Sequence, residues 1–544
     1  MIKKNDLFEA EITAMTAEGS GICRADGMAV FVPGTAVGDR CVVRVVKVLK
    51  KYAFGRLEEL LTPSPDRTTP DCPIAGPCGG CVYRHITYEA ELKIKTQRVR
   101  DALERIGGFE NIPMEPILGA PSRTRYRNKC QLPIGLSKNG EMQMGFYAVN
   151  SHRIIDTHTC LLQPEVFDRA AEAFRAWQKL SGESIYDEAA HSGVLRHLYM
   201  RCGEKSGEVL VCIVANGAKL HGEDLLVKML REAVPEITGI VLNINRERTN
   251  VVLGRELRTL WGKPTIRDTL CRLEFEISPH AFYQVNRTQA EALYNKAAEY
   301  AGLTGAETLL DLYCGTGTIG LSMASRAKKL IGAEIIPSAV ENARKNAAHN
   351  HVTNAEFLCG DAKDVARILY ERGERPDVII IDPPRKGCDA AVISTIAAMR
   401  PTRVVYVSCD PATLARDLKQ FTAEGYNIEA VTPVDMFPGT AHVETVCLLS
   451  KLKSTQHIEV ELDMDELDLT AAEKKATYDE IKAYVLEHSG LKVSSLYIAQ
   501  VKQQCGIIER ENYNKPKSED AKQPQCPPEK EKAIMEALKH FGMI

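Results

Sequence analysis

The sequence predicts a multi-domain protein with four parts: a small β-barrel, a central α+β domain, an α/β domain built on a parallel sheet, and a small helical C-terminal extension. A chain of 544 residues exceeds the usual size of one domain. The first sixty residues alternate apolar and polar positions, and from about residue 271 apolar strands alternate with helical segments. The predicted boundaries give domains 1–61, 62–270, 271–453 and 454–544.

The composition is that of a globular protein with a large core, because 44% of the residues are hydrophobic and 26% are charged. No apolar run reaches membrane-spanning length and the N-terminus has no signal-peptide pattern, so we expect a cytoplasmic protein. The formal net charge is −3, so any surface that binds nucleic acid must be local. Seventeen cysteines, an odd number, indicate free thiols and metal ligands instead of a disulfide framework.

The barrel prediction rests on alternating segments such as Phe8–Ile12 and Cys41–Val48, which glycine turns separate. Between residues 44 and 56 the segment has no acidic residue and five cations: Arg44, Lys47, Lys50, Lys51 and Arg56. Tyr52 and Phe54 lie among these cations. A basic strand with interleaved aromatic residues favours contact with RNA over a merely solvated strand face.

Three cysteines follow a proline-rich linker in the pattern C-x5-C-x2-C, at Cys72, Cys78 and Cys81. Three thiolates are too few for a closed tetrahedral site, so a fourth ligand must come from elsewhere in the chain. Zinc and an iron–sulfur cluster both remain open, whereas a redox dithiol has no use for a third cysteine.

The rest of the central domain offers less chemistry. Arg123–Lys129 alternates cations with polar residues, which predicts a strand with one positive face for RNA phosphates. Tyr88–Leu103 reads as a helix whose lysines and arginines form an ordinary exposed face. From about 165 to 270 the pattern mixes amphipathic helix with apolar strands, as in an α+β layer.

The α/β domain contains a candidate cofactor site. Thr308–Gly320 reads as a strand, a glycine-rich turn and a helix start, and it matches G-x-G-x-x-G. The next strand, Leu330–Glu334, ends in an acid where a ribose-binding carboxylate belongs. NAD and S-adenosylmethionine both suit this pattern.

Three further segments predict catalytic residues at the same edge of the sheet. Val404–Leu414 is an apolar strand that ends at Cys409 and turns into a helix, whose dipole favours the thiolate. Taken alone, a buried core cysteine is the more common explanation. Asp377–Gly387 adds Asp382 after a second strand, and a loop ending at Glu444 precedes the final strand. A nucleophile and two acids on successive strand ends form a plausible active site. An enzyme that transfers a hydride to or from NAD would have no evident use for these residues.

These motifs, in this order, resemble the RNA uracil-5-methyltransferase family, which depends on S-adenosylmethionine. The resemblance covers roughly residues 1 to 453 and is specific, because four motifs match in sequence. It implies a TRAM domain, an oligonucleotide-binding-type barrel, at the N-terminus and a Rossmann-like class I methyltransferase domain. It also implies an RNA partner, most plainly 23S ribosomal RNA, with the tRNA T-loop as the alternative.

The resemblance also implies roles for individual residues. The implied S-adenosylmethionine contacts are Gln284, Tyr313, Thr318, Glu334, Asp361 and Asp382. The implied [4Fe–4S] ligands are Cys72, Cys78, Cys81 and Cys160. Cys130 competes with Cys160 as the fourth ligand but ranks lower, because it lies inside a basic strand.

In the implied mechanism Cys409 adds to carbon 6 of uracil, carbon 5 takes the methyl group, and Glu444 removes the carbon-5 proton. Arg385 stabilises the enolate oxygen, and His442 is the next candidate base. A competing hypothesis is an iron–sulfur RNA-binding regulator with a degenerate transferase core.

The C-terminal extension lies beyond the resemblance. It begins with acidic residues and predicts helices from Thr470, up to Gln504 and over Pro528–Phe541, without indicating a function. We expect the protein to be a monomer.

Overall fold

The computed structural model describes residues 2–451, 478–505, 526–541 and 543. The chain divides into two units, Met1–Lys453 and Ser454–Ile544. Within the described residues no helix is both long and apolar enough to cross a membrane.

The N-terminal segment folds into one six-stranded sheet. Its strands are β1 (Leu7–Glu11), β2 (Ala14–Met15), β3 (Ser20–Ala25), β4 (Met28–Pro33), β5 (Arg40–Val48) and β6 (Tyr52–Thr62). Their order is β1-β5-β6-β4-β3-β2. Neighbouring strands pair antiparallel, except for β4 and β6, which run parallel. The alternating apolar residues, among them Val30, Val43 and Ala53, form the core of the sheet.

The helix α1 (Tyr88–Ala102) follows the cysteine-rich segment and continues into a π-helical turn, Leu103–Gly107. The Thr87 side chain caps the helix by accepting a hydrogen bond from the backbone N–H of Ala90. The prediction of an ordinary exposed basic face was wrong at Lys95, which is only 1% exposed. Whether a lysine is buried depends on what its helix packs against, so the charge pattern of α1 could not predict the burial of Lys95.

A second sheet forms the central α+β layer. Its strands are β7 (Lys129–Leu136), β8 (Met142–Tyr147), β9 (Ile154–Asp156), β10 (Leu195–Cys202), β11 (Val209–Ala215), β12 (Ile237–Ile244) and β13 (Glu256–Gly262). Their order is β13-β12-β11-β10-β7-β8-β9. The helices α2 (Glu165–Ser181) and α3 (Glu223–Ala233) contribute to its core through Trp177 and Leu230.

The basic run before this sheet differs from its prediction. Residues 121–128 form no strand, and β7 begins only at Lys129. Arg125 adopts a positive φ of 57° and donates hydrogen bonds to the backbone carbonyls of Cys160 and Gln163. Arg123 donates to Glu91. Protein groups therefore engage both arginines, and the prediction of a positive strand face was wrong there.

The third region opens with a two-stranded hairpin, β14 (Ile266–Leu270) and β15 (Leu273–Ile277), followed by α4 (Arg287–Ala301). The predicted boundary at 270/271 falls in the turn of this hairpin. Both strands share a hydrophobic core with α4.

A seven-stranded sheet and five helices complete the first unit. The strands are β16 (Thr308–Leu312), β17 (Lys329–Glu334), β18 (Ala355–Cys359), β19 (Val378–Ile381), β20 (Arg403–Ser408), β21 (Tyr426–Val434) and β22 (Glu444–Lys451). The helices are α5 (Thr318–Met323), α6 (Pro337–His349), α7 (Ala362–Glu371), α8 (Ala390–Met399) and α9 (Pro411–Ala423). The order is β18-β17-β16-β19-β20-β22-β21, and the first five strands are parallel. β22 runs antiparallel to β20 and β21.

The second unit contains three described helices, α10 (Tyr478–Ser489), α11 (Ser495–Gln504) and α12 (Pro528–His540). Ile481, Ile498 and Ile534 meet in its core. The two later helices match their predictions, whereas the predicted helix start at Thr470 lies outside the described residues.

Candidate active site

The topology of the sheet brings the predicted residues to one edge. Glu334 ends β17, Asp382 follows β19 and Cys409 follows β20, so all three stand at the carboxyl ends of parallel strands. β22 is antiparallel to β20, and its register pairs Ser408 with Thr445. Glu444, the first residue of β22, therefore lies at the same edge as Cys409.

Cys409 occupies the sharp turn between β20 and α9. The next residue, Asp410, caps α9 by accepting hydrogen bonds from the backbone N–H groups of Ala412 and Thr413. Burial, Glu444 and Asp382 raise the pKa of the Cys409 thiol to about 11, and Arg385 partly opposes them. The expectation that the helix dipole favours the thiolate is therefore not met in this state, because burial and two nearby carboxyl groups outweigh it.

The two acids beside Cys409 are themselves perturbed. Glu444 is 6% exposed, and burial together with the charge of Asp382 raises its pKa to about 8. Burial raises the pKa of Asp382 to about 7. Carboxyl groups that titrate near neutral pH are suited to exchanging protons with a reacting group.

The glycine-rich turn after β16 has the shape of a cofactor cradle. Tyr313, Gly315 and Gly317 have positive φ angles of 66°, 57° and 82°. Space around the α-carbon of Gly315 is open, because a Cβ built there would meet no atom within 4 Å. Glu334 Oε2 accepts a hydrogen bond of 3.1 Å from the backbone N–H of Gly315, which places the acid against the turn.

Asp361 also lies close to Glu334, because the backbone N–H of Gly360 donates to the Glu334 carbonyl. Asp361 itself caps α7 by accepting a hydrogen bond from the backbone N–H of Lys363. The Thr318 hydroxyl is 3.1 Å from the Tyr294 hydroxyl. These contacts show that both predicted cofactor residues also have structural partners.

Gln284 and Tyr313, the remaining predicted cofactor residues, have contacts of their own. The Gln284 carbonyl accepts a hydrogen bond of 2.9 Å from Asn128, so a residue of the central region holds this segment in place. The Tyr313 hydroxyl lies close to Cys388, and burial is the main reason that its pKa is raised.

Asp311 is a candidate cofactor-site residue that the sequence analysis missed. It lies in β16 directly before the turn and is 1% exposed, and its Oδ1 atom has no hydrogen-bond partner. Burial raises its pKa to about 8, and Asp382 and Glu334 add to that shift. An acid within the otherwise apolar strand Thr308–Leu312 was the available signal.

A cavity of about 640 Å³ opens over Cys409. Its cysteine lining comprises Cys72, Cys78, Cys81, Cys160 and Cys409. Its basic lining comprises Arg84, Arg98, Arg127, Lys129 and Arg385, and His442 also faces it. Five cations against the two acids Glu18 and Asp410 make the cavity positive, as contact with RNA phosphates requires.

The four predicted metal ligands, Cys72, Cys78, Cys81 and Cys160, therefore line the same cavity. Burial raises the pKa of Cys81 to about 12, and Cys160, Cys78 and Cys72 each add to that shift, so their charges interact. Cys130 is instead 2% exposed within the core of the central sheet. Even so, among the described residues no group of three or more His, Cys, Asp or Glu side chains is arranged so that it could hold a metal ion.

A largely parallel sheet with one reversed strand, a glycine turn and an acid at the end of the second strand defines a class I methyltransferase fold. Sequence comparison narrows this class. A profile of the tRNA (uracil-5-)-methyltransferase family matches residues 263–452, and a TRAM domain profile matches residues 4–57. The chain belongs to this family of S-adenosylmethionine-dependent RNA uracil-5-methyltransferases, as the motifs predicted.

Similar proteins agree with this assignment. An uncharacterized RNA methyltransferase of Halalkalibacterium halodurans is 44% identical over 448 residues, which cover 82% of this chain and 98% of that protein. One from Clostridium tetani is 43% identical and covers 82% and 97%. The solved Pyrococcus abyssi tRNA (uracil-54, C5)-methyltransferase, in complex with S-adenosyl-L-homocysteine, is 29% identical with a TM-score of 0.66. It covers 81% of this chain and 99% of that one.

Proposed function

We propose that this protein methylates carbon 5 of a specific uridine in 23S ribosomal RNA. The observation that supports this most strongly is that Cys409 and Arg385 line one positive cavity, with Glu444 close enough to raise the pKa of Cys409. Such a cavity suits the RNA backbone, and a uridine that leaves its stack could enter it to reach the thiol.

In the proposed reaction the Cys409 thiolate forms a bond to carbon 6 of uracil, and the electron pair moves toward carbon 5 and the carbonyl oxygen. Arg385 lowers the pKa of Cys409 and therefore favours the thiolate. S-adenosylmethionine would supply the methyl group that carbon 5 receives and would be left as S-adenosyl-L-homocysteine. Glu444, as the carboxylate, then accepts the carbon-5 proton, the bond from sulfur to carbon 6 breaks, and the uracil double bond is restored.

We propose that the cofactor lies on the glycine-rich turn. Glu334 would receive the ribose hydroxyls and Asp361 the adenine edge. Asp382 and the unpaired Oδ1 of Asp311 would face the positive charges of the cofactor. Tyr313, Thr318 and Gln284 would supply the remaining contacts. A cation near Asp311 would satisfy the buried Oδ1 atom, because the protein pairs only Oδ2, with the backbone N–H of Gly320.

We also propose that Cys72, Cys78, Cys81 and Cys160 hold a [4Fe–4S] cluster, for which they would have to adopt a different arrangement from the one in this structure. Their common cavity and mutual electrostatic effect support this set, whereas Cys130 packs in the core. Because all four cysteines precede the methyltransferase sheet, the cluster would organise the RNA-binding part of the protein.

A tRNA uridine is the second candidate substrate. It is favoured by the family profile and by the Pyrococcus abyssi enzyme, whose names both specify tRNA. Mapping of 5-methyluridine in 23S ribosomal RNA and in tRNA from a strain that lacks this protein would separate the two. Loss of the mark from 23S ribosomal RNA alone supports the first proposal, and loss from tRNA alone overturns it in favour of the second.

A further inference from the structure

Glu444 and His442 depend on a loop that we call the catalytic loop, residues 435–443. It joins β21 to β22 and ends immediately before Glu444. Asp435, Met436 and Val443 are each 0% exposed, so most of this loop is interior. Asp435, its first residue, directly follows Val434, and the backbone of Val434 pairs with Glu444 across β21 and β22.

The buried ammonium of Lys95 lies against the start of this loop. Its Nζ donates to Glu91 Oε1 at 2.7 Å, to Asp435 Oδ1 at 2.6 Å and to the Phe437 carbonyl at 3.1 Å. An ammonium group has three hydrogens, so each is matched by one acceptor. Two of these acceptors belong to the catalytic loop, whereas Lys95 itself lies on α1, some 340 residues earlier in the chain.

The same network balances its charges. Arg123 donates to Glu91 Oε2 at 3.1 Å, and the Tyr88 hydroxyl donates to Asp435 Oδ2 at 2.7 Å. Two cations therefore face two carboxylates that are both 0% exposed. Glu91 Oε1 also accepts a hydrogen bond of 2.6 Å from the backbone N–H of Gly439, a fourth attachment to the loop.

We propose that Lys95 is a positioning residue of the methyltransferase, which holds the catalytic loop so that Glu444 meets the carbon-5 proton. The proposal rests on the proposed function of Glu444. Without the ammonium, two buried carboxylates share one remaining cation, Arg123, and repel each other. Asp435 Oδ1 and the Phe437 carbonyl then lose the hydrogen bonds from Lys95, so that Asp435 keeps only its bond from Tyr88 on Oδ2, and the loop shifts together with Glu444.

The test uses Lys95→Met, which keeps the length of the side chain and removes its charge. We expect turnover to fall by roughly 10–100-fold, because small displacements of a catalytic group have effects of this size. We also expect a methylated, denaturation-resistant complex between the enzyme and its RNA to accumulate, because release requires Glu444. The affinity for S-adenosylmethionine, measured by calorimetry, should stay within about twofold of the wild-type value, since the glycine turn lies outside the network.

Two controls make this result specific. Lys93→Met removes an exposed lysine from the same helix and should behave as the wild type. Glu444→Gln should accumulate the same complex. If Glu444→Gln gives no complex, the proposed role of Glu444 fails. If Glu444→Gln gives the complex and folded Lys95→Met turns over normally without it, the inference about Lys95 alone is overturned.

Lys95→Met could lose its fold, because it leaves an unbalanced buried charge. The double variant Lys95→Met with Glu91→Gln removes one positive and one negative charge and so restores the balance. It should fold, yet still accumulate the methylated complex, because Asp435 Oδ1 and the Phe437 carbonyl still lack the hydrogen bonds that Lys95 donates. Wild-type turnover in the folded double variant would equally overturn the inference.

Discussion

Burial of carboxyl groups is the main chemical feature at the residue scale. Asp382 and Glu444 have pKa values raised to about 7 and about 8, and Asp311 is raised to about 8. Each raised value reflects the cost of placing a charged carboxylate in a poorly solvated site. The site therefore holds acids that are partly protonated near neutral pH, beside the Cys409 thiol, whose pKa is raised to about 11.

Replacing Cys409 should separate chemistry from cofactor binding. We expect Cys409→Ala to abolish methylation and to prevent a covalent complex with RNA that contains 5-fluorouridine. S-adenosylmethionine should still bind, because the thiol lies apart from the glycine-rich turn. Methyl transfer from labelled S-adenosylmethionine and calorimetry measure the two properties. Cys271→Ala, in the turn of β14 and β15, is the matched control, and substantial turnover by Cys409→Ala would rule out the covalent mechanism.

Glu444→Gln should trap RNA and also stabilise the protein above neutral pH. Folding raises the pKa of Glu444 from 4.5 to about 8, so the folded state holds this proton more tightly than the unfolded state does. The contribution of this group to stability is fully present below pH 4.5 and is lost as the pH rises to about 8.

Glutamine cannot ionise, so the Glu444→Gln variant does not lose this contribution to stability as the pH rises. We expect Glu444→Gln to be more stable than the wild type at pH 8 by roughly 2–4 kcal/mol and to differ little near pH 4.5. Denaturant unfolding at both pH values measures this difference. Equal stability at pH 8 would contradict the burial argument, and normal turnover without a trapped complex would reassign the base, with His442 as the next candidate.

At the scale of elements, the N-terminal sheet presents a cluster of three aromatic rings. Phe31 on β4 pairs with Phe54 on β6, and their ring centroids are 6.0 Å apart. Tyr52 lies 5.2 Å from Phe31 and 5.6 Å from Phe54. Lys47 on β5 stands opposite Phe54. Phe54 is exposed and the other two rings are half-buried, and such a cluster beside a lysine is suited to stacking with the bases of single-stranded RNA.

Residues 44–56 present less positive charge to RNA than their sequence suggested, because the acidic residue Glu58 follows them closely. Glu58 accepts hydrogen bonds from both Arg44 and Arg56, at 2.9 to 3.0 Å. Two of the five cations in that stretch are therefore already paired within the protein. The lysines and the aromatic cluster remain the better candidates for contact with RNA.

Phe54→Ala should therefore weaken RNA binding. Loss of one stacking ring is worth roughly 1–3 kcal/mol, which corresponds to about a five- to 150-fold lower affinity. S-adenosylmethionine binding should be unchanged, because the ring lies outside the methyltransferase sheet. Electrophoretic or fluorescence titration with substrate RNA measures the effect. Leu7→Ala, at another exposed apolar position of the same sheet, is the control, and an equal effect of the two variants would refute the stacking role.

At the scale of the whole molecule, the cysteine-rich segment and the catalytic loop are in direct contact. The backbone N–H groups of Val82 and Tyr83 both donate to the Gly439 carbonyl, at 2.8 and 3.1 Å. Cys81 immediately precedes them in the chain. Parts of the protein that are far apart in sequence thus assemble around one cavity.

The proposed cluster predicts a clear difference between two cysteine variants. Protein purified without oxygen should be brown and hold about four iron atoms per chain. Cys160→Ser should bleach it, because a ligand facing the cavity is lost, whereas Cys130→Ser should leave the colour unchanged. Iron analysis and visible absorption measure both. Zinc in place of iron, or a bleached Cys130→Ser protein beside a brown Cys160→Ser protein, would show that the ligand set is wrong.

The sequence alone determined the order of the motifs and the family. The glycine turn, the acid at Glu334 and the segments around Asp382, Cys409 and Glu444 are local patterns, because each requires only a strand followed by a turn. Family membership, the TRAM domain and the class of enzyme were all confirmed by comparison with known proteins.

Only the tertiary structure decided how these residues affect one another. The raised pKa of Cys409 depends on burial and on acids from other strands, and the unpaired oxygen of Asp311 depends on the surrounding packing. Lys95 resembles any other lysine of a basic helix until Asp435, some 340 residues later in the chain, packs against it. Such contacts join residues far apart in sequence, and no local pattern of polarity records which distant group a buried charge will meet.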